Sequence, residues 1–221
     1  DPMFYDVLRA SQVYGHLSKG AFDPTVLPLM RLWGFRGGKP TVPAPDVLQA
    51  HLKRVGYGHI PDGLRVRFDR EGVEVDLGGI AKGYALDRAV ARLRSEGVTG
   101  GVVDLGGNLF TFGKGPEPHV GVQDPRRPDG LLGTLVLRDA SVGTSGGYER
   151  HVTIQGKRYG HILDPRTGRP TEKMLSATAV APTGTAADAI STALFVLGPH
   201  EGAELLESLN GIEGILVWEG E

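Results

Sequence analysis

The sequence predicts an α+β fold, mixed sheets with packed helices, and three observations carry that expectation. Short segments of alternating apolar character dominate the middle of the chain, helical periodicity marks its two ends, and Gly, Pro or Asp turns separate most segments. At 221 residues the chain can bury a full core, and no linker of distinct composition divides it, so a single domain over 1–221 is expected.

Residues 4–17 read as the first helix, with Val7, Leu8, Ser11, Val13 and Tyr14 near one face and Ser18-Lys19-Gly20 at its end. Beyond the turn Gly20-Ala21-Phe22-Asp23-Pro24-Thr25-Val26, the residues Leu27, Leu29, Leu32, Trp33 and Phe35 form an apolar cluster broken by Gly34, Gly37 and Gly38. This pattern reads as buried but irregular chain. A short helix over 44–55 follows, then a hairpin over 64–75 that turns at Arg70-Glu71-Gly72. Residues 72–77 alternate as a strand, 80–97 carry a helical stripe of Leu86, Ala89, Val90 and Leu93, and 101–105 read as a second strand. That spacing suits a crossover connection between parallel or nearby strands. Strands are expected over 109–112, 119–122, 133–137, 140–144, 151–154 and 159–163, helices over 185–197 and 200–209, and a last strand over 214–218.

Charge and composition narrow the function. Lys and Arg number 24 against 26 Asp and Glu, a net charge of -2, and no basic run or aromatic-basic ladder interrupts the mixture. A general nucleic-acid binder is therefore not expected, and small-molecule chemistry is. The absence of cysteine excludes disulfides, zinc-thiolate sites and thiol nucleophiles, so any metal must be held by oxygen or imidazole. No segment is long and apolar enough to span a membrane, and Asp1-Pro2-Met3-Phe4-Tyr5 does not open a signal peptide. The chain begins in mid-pattern, as though a preceding portion were missing.

Three constellations carry chemistry. The pentapeptide Val-Asp-Leu-Gly-Gly occurs twice, at Val75-Asp76-Leu77-Gly78-Gly79 and Val103-Asp104-Leu105-Gly106-Gly107, on either side of the expected 80–97 helix. Two carboxylates and bare amides at such turns suit a phosphate and metal site, and they equally suit two ordinary strand–helix turns. In Tyr159-Gly160-His161-Ile162-Leu163-Asp164-Pro165-Arg166-Thr167-Gly168-Arg169-Pro170 an imidazole, a carboxylate and a guanidinium meet at one strand end, a set able to handle phosphate or simply to build a turn. In Ala187-Asp188-Ala189-Ile190-Ser191-Thr192-Ala193, the oxygens of Asp188, Ser191 and Thr192 fall at i, i+3 and i+4 on one helix face. That is a donor set for a hard divalent ion such as Mg²⁺, and also one that satisfies a helix dipole and local backbone groups.

Taken in order, these motifs resemble the ApbE family of flavin transferases, which act as FAD:protein FMN transferases. The resemblance runs through Gly20 to Val26, Leu32-Trp33-Gly34-Phe35, Asp76-Leu77-Gly78-Gly79-Ile80-Ala81-Lys82-Gly83-Tyr84-Ala85, Val103 to Asn108, Thr144-Ser145-Gly146, His161 to Gly168 and Ala187 to Ala193. It covers nearly the whole chain, lacks the family's N-terminal portion, and implies a T-fold-related single domain. It further implies FAD as substrate with Mg²⁺ on its pyrophosphate. The metal ligands would be the side chains of Asp188 and Thr192, the Ser191 position and the Gly79 carbonyl. FAD contacts would come from Ala21, Phe22, Asp23, Asp76, Lys82 and the backbone near Ile162. His161 is the expected base and, with Asp188, an expected catalytic residue. The implied reaction moves FMN to a threonine of an acceptor flavoprotein subunit; FAD hydrolysis by water and non-catalytic FAD carriage are the alternatives. The resemblance also implies a place on the outer side of the bacterial inner membrane, with membrane association through a lipid anchor preceding Asp1.

Overall fold

The computed structural model describes every residue except 62, 64, 65, 128, 148, 149 and 221. In chain order the elements are α1 (Pro2–Leu17), α2 (Leu27–Leu32), α3 (Pro45–Leu52), α4 (Ala81–Ser95), β1 (Gly100–Leu105), β2 (Asn108–Gly113), β3 (His119–Gln123), β4 (Leu131–Val136) and β5 (Ala140–Gly146). There follow β6 (His151–Ile154), β7 (Lys157–Gly160), β8 (Leu163–Asp164), β9 (Arg169–Pro170), β10 (Met174–Ala181), α5 (Gly184–Ser208) and β11 (Glu213–Trp218). The α+β class is as expected. The backbone forms two compact units, Asp1–Gly79 with Gly147–Glu172, and Ile80–Gly146 with Lys173–Glu221.

The first unit is built on α1, α2 and α3 and on the antiparallel pairs β6–β7 and β8–β9. The apolar cluster after the first turn is not irregular chain. Its Leu27–Leu32 segment is helical, and Leu29, Met30 and Trp33 bury against Leu48 of α3 and Leu163 of β8. Proline at the second helical position starts α2 without losing a needed N–H. Trp33 is fixed twice, by its indole N–H to the Gly168 carbonyl at 2.8 Å and by the Tyr159 ring, 5.4 Å away between centroids.

The second unit is a five-stranded sheet in the order β1-β2-β5-β10-β11, every neighbouring pair antiparallel, together with the hairpin β3–β4. Helix α5 packs on β5 and β10, and α4 packs on β1, β2 and α5. Leu86 and Val90 of α4 bury against Phe110 and Phe112 of β2.

Several sequence expectations are corrected here. Residues 72–77 are not in a strand, so no parallel crossover runs through α4; β1 instead turns directly into β2 in register Leu105↔Asn108. Alternation alone does not make a strand, which needs a ladder partner; of these side chains only Val73 is buried, and Asp76 N–H makes its backbone bond to the Pro24 carbonyl at 2.7 Å. The hairpin expected over 64–75 is likewise absent from 66–75, and its Leu64 and Arg65 lie outside the described residues. The expected 159–163 strand is interrupted: β7 stops at Gly160, and β8 resumes at Leu163. Met174–Ala181, unforeseen as a strand, lies between β5 and β11 in the sheet. Its Ala177, Ala179 and Ala181 are buried, and a strand buried on both faces loses the alternation that would reveal it. The two expected C-terminal helices are there, joined without a gap and bent at Gly198 (φ 77°) just before Pro199.

The backbones of α4 and α5 approach closely. A Cβ on Gly83 would stand 2.0 Å from the Gly184 carbonyl oxygen, and one on Gly184 would stand 2.4 Å from that of Gly83. Asp87, one turn along α4, caps α5: its carboxylate accepts from the Gly184 N–H at 2.6 Å and the Thr185 N–H at 2.9 Å. Gly83→Ala must push the helices apart and is expected to cost about 2–3 kcal/mol, read as a fall of about 5–10 °C in Tm. Gly133→Ala in β4, where a Cβ meets nothing within 4 Å, is expected to stay within about 0.5 kcal/mol of the parent.

Candidate active site

The helix contact decides the surroundings of Asp188. This residue lies on the second turn of α5, only 4% exposed, and its Oδ2 accepts the backbone N–H of Gly83 at 2.9 Å. The preceding residue, Lys82, donates from Nζ to Asn108 Oδ1 at 3.2 Å. Asn108 is 1% exposed and opens β2 directly after the Gly106-Gly107 turn, where φ values of 59° and 87° demand glycine. Burial raises the pKa of Asp188; the Gly83 N–H, the Asn108 amide and the Lys82 charge oppose it without cancelling it.

One helical turn further on, Ser191 Oγ and Thr192 Oγ1 both donate to the Asp188 carbonyl, at 2.9 and 3.2 Å. Ser145 Oγ of β5 lies 3.1 Å from Ser191 Oγ and 3.2 Å from Thr192 Oγ1. The result is one buried carboxylate and three hydroxyls gathered beside a lysine. No group of three or more His, Cys, Asp or Glu side chains forms among the described residues. Asp188 therefore supplies the single negative charge of this all-oxygen cluster, which fits Mg²⁺, a cation that commonly takes one or two carboxylates and completes its shell with water and substrate phosphate.

The other expected site residues belong to the first unit. Ala21 and Phe22 are buried, with Phe22 N–H bonded to Ser18 Oγ at 2.9 Å. Asp23 Oδ1 accepts from the Thr25 N–H at 2.8 Å and from its hydroxyl at 2.6 Å, while Oδ2 accepts the Tyr57 N–H at 2.7 Å. Burial raises the Asp23 pKa despite those bonds. Asp76 Oδ1 accepts the Gly78 N–H at 2.7 Å and Oδ2 pairs with Arg36 Nε at 2.8 Å. Gly79 lies in the turn of residues 78–80 that leads into α4. The Ile162 carbonyl accepts the Thr171 N–H at 3.1 Å. His161 lines an open recess with Phe35, Arg36, Arg150, His151 and Val152. Its Nδ1 donates to the Arg150 carbonyl at 3.1 Å.

Two constellations differ from their reading in sequence. The paired Asp76 and Asp104 carboxylates each close their own turn, Asp104 by accepting the Gly107 N–H at 2.9 Å. His161 precedes β8 and does not share a strand with Asp164, whose two oxygens receive Arg166 Nε at 3.0 Å and a terminal nitrogen at 3.1 Å. Carboxylate and guanidinium there face each other. The sequence does not mark Asp87; it marks Ser145 only within Gly143-Thr144-Ser145-Gly146, as hydroxyls and amides that could equally be a hairpin turn, and Asn108 only as the end of the second Gly-Gly motif. Asn108 leaves a further signal, an amide at the head of the apolar run Leu109-Phe110-Thr111-Phe112 just after a Gly-Gly turn.

An α+β protein with a buried carboxylate, hydroxyls and a lysine at a helix contact has the donors for a divalent cation together with phosphate oxygens. Comparison with known proteins narrows this class. The model of the ApbE family matches residues 1–216, and the chain belongs to that family. It is 34% identical over 239 residues to the FAD:protein FMN transferase of Treponema pallidum, covering 99% of this chain and 66% of the relative. It is 33% identical to the enzyme of the same name from Klebsiella pneumoniae, covering 98% and 65%. The crystal structure of the ApbE protein from Thermotoga maritima superimposes with a TM-score of 0.91 at 38% identity, over 99% of this chain and 74% of that one. The Pseudomonas stutzeri flavinyl transferase ApbE gives a TM-score of 0.88 at 33% identity, over 100% and 71%. The chain thus spans slightly less than two thirds of the two sequence relatives, 66% and 65% of their lengths.

Because burial raises the Asp188 pKa, folding favours its protonated form. The stability this contributes is complete below the ordinary carboxylate range and is lost as pH rises through the raised value. In EDTA, Asp188→Asn is therefore expected to melt above the parent protein at neutral pH, with the gain shrinking on acidification; thermal melts at about pH 4 and about pH 8 check this. A variant that melts below the parent at neutral pH contradicts the burial argument.

Proposed function

We propose that the chain carries out Mg²⁺-dependent transfer of FMN from FAD to a threonine hydroxyl of an acceptor flavoprotein, releasing AMP. The carrying observation is the buried oxygen cluster around Asp188 with Lys82 beside it, in a chain matched over residues 1–216 by the ApbE family. The names of its relatives supply the two flavins.

In this reading Asp188, Ser191 and Thr192, with the Gly79 carbonyl, hold the cation. When bound, Mg²⁺ would neutralise charge on the FAD diphosphate. Lys82 offers a further positive charge to phosphate oxygens, while Ala21, Phe22, Asp23, Asp76 and the backbone at Ile162 serve FAD. The threonine oxygen bonds to the FMN-side phosphorus as the bond from that phosphorus to the bridging oxygen breaks. The hydroxyl proton passes to His161 Nε2, and AMP leaves. Most of the rate in such a reaction comes from positioning and charge stabilisation. Placement at the outer face of the inner membrane belongs to the same proposal and rests on family resemblance; among the described residues no helix is long and apolar enough to cross a membrane.

The test is incubation with FAD and Mg²⁺, with and without an acceptor domain, following AMP and acceptor mass. AMP release that depends on the acceptor, with an FMN-sized mass gain, is expected. AMP and free FMN without acceptor would make the protein a pyrophosphatase, and retained FAD without AMP a carrier. Asp188→Ala is expected to abolish Mg²⁺-dependent turnover. His161→Ala is expected to slow transfer by about 10²-fold or more while FAD affinity stays near the parent value; unchanged turnover would remove His161 as the base.

A further inference from the structure

Asn108 is an expensive residue to keep where it stands. It is 1% exposed, its Oδ1 accepts from Lys82 Nζ at 3.2 Å, and its Nδ2 is buried without a hydrogen-bond partner among the described residues. A buried amide nitrogen left without a partner costs about 1–3 kcal/mol. An apolar side chain of the same shape would avoid that cost, so stability alone does not account for an amide here.

The orientation of the amide is determined. Lysine only donates, so the atom facing Lys82 must be the oxygen, and Nδ2 is turned the other way. The amide neighbours the Asp188 carboxylate, although Nδ2 forms no bond of normal geometry with it. The carboxylate is fixed from the opposite chain segment by the Gly83 N–H at 2.9 Å, and Gly83 follows Lys82 directly in α4. Two hydrogen bonds, Lys82 to Asn108 and Gly83 to Asp188, and the Lys82–Gly83 peptide bond thus bring the Asn108 amide beside the carboxylate.

We infer that Asn108 is a positioning residue: held by the Lys82 ammonium at one end, its amide sets the orientation in which the Asp188 carboxylate meets a divalent cation. The inference rests on the cation site proposed above and deepens it. Its functional consequence is coupling, since Lys82 and Asp188 serve the two charged components of one ligand pair, phosphate and cation. A residue that ties them makes FAD affinity depend on the cation more strongly than either group would alone.

Calorimetric titration of FAD into the protein, once in EDTA and once in saturating Mg²⁺, reads this coupling without any turnover. In the parent protein Mg²⁺ is expected to tighten FAD. In Asn108→Leu the affinity in EDTA is expected to change by less than about threefold, the scale of one partly exposed hydrogen bond. The tightening by Mg²⁺ is expected to fall by about tenfold or more, as when a group supporting a metal ligand is removed. Melting of the variant at or above the parent Tm is expected as well. Should Asn108→Leu fail to fold, Asn108→Ser, which lacks the amide and leaves space, is read by the same two titrations. Full retention of the tightening overturns the role of Asn108, and an equal loss in EDTA and Mg²⁺ makes it a direct FAD ligand instead. If the parent itself shows no tightening, the cation site falls and this inference with it.

Discussion

Where α4 meets α5, the backbones of Gly83 and Gly184 lie so close that neither residue has room for a Cβ. The chemistry of the second unit depends on that approach. It lets the Gly83 N–H reach a carboxylate on the neighbouring helix. It also brings Asp87 to the first amides of α5, which would otherwise need another partner. With the start of α5 already capped by a side chain, that helix terminus is not the anion site. In the function proposed here the positive charge offered to phosphate is that of Lys82, which the same stretch of α4 carries.

Acidic residues in this chain divide by what already occupies their oxygens. Asp23, Asp76, Asp104 and Asp164 accept bonds from nearby backbone or arginine groups and hold turns in shape. Asp188 differs in that its carboxylate accepts from the backbone of a neighbouring helix, while burial raises its pKa as it raises that of Asp23. A buried carboxylate among hydroxyls is the donor set that the proposed cation site would use. The Ser191 and Thr192 hydroxyls bond to the Asp188 carbonyl, an arrangement that keeps them on its face of the helix.

Much of this was legible in the sequence, for identifiable reasons. The helical stripe of Leu86, Val90 and Leu93 gave α4 to within a few residues, and the i, i+3, i+4 spacing put Asp188, Ser191 and Thr192 on one face. Local patterns of this kind survive folding because a helix is set by its own periodicity. What depended on partners distant in sequence did not survive. The segment 72–77 alternates without a ladder, and the buried strand Met174–Ala181 has no alternation to show. The duplicated Val-Asp-Leu-Gly-Gly drew attention to its aspartates, yet the second copy contributes most through the residue after it. Asn108 becomes visible only when β2 is folded back along β1 and its amide falls between Lys82 and Asp188.

Diffraction from crystals grown with FAD and Mn²⁺ in place of Mg²⁺ would test the central claim most directly, because the anomalous signal of manganese locates the cation without interpretation. A single peak at coordination distance from the Asp188 carboxylate and from oxygens of the FAD diphosphate is the result this account predicts. Ordered FAD with the manganese bound elsewhere, or with no manganese near Asp188, would contradict it.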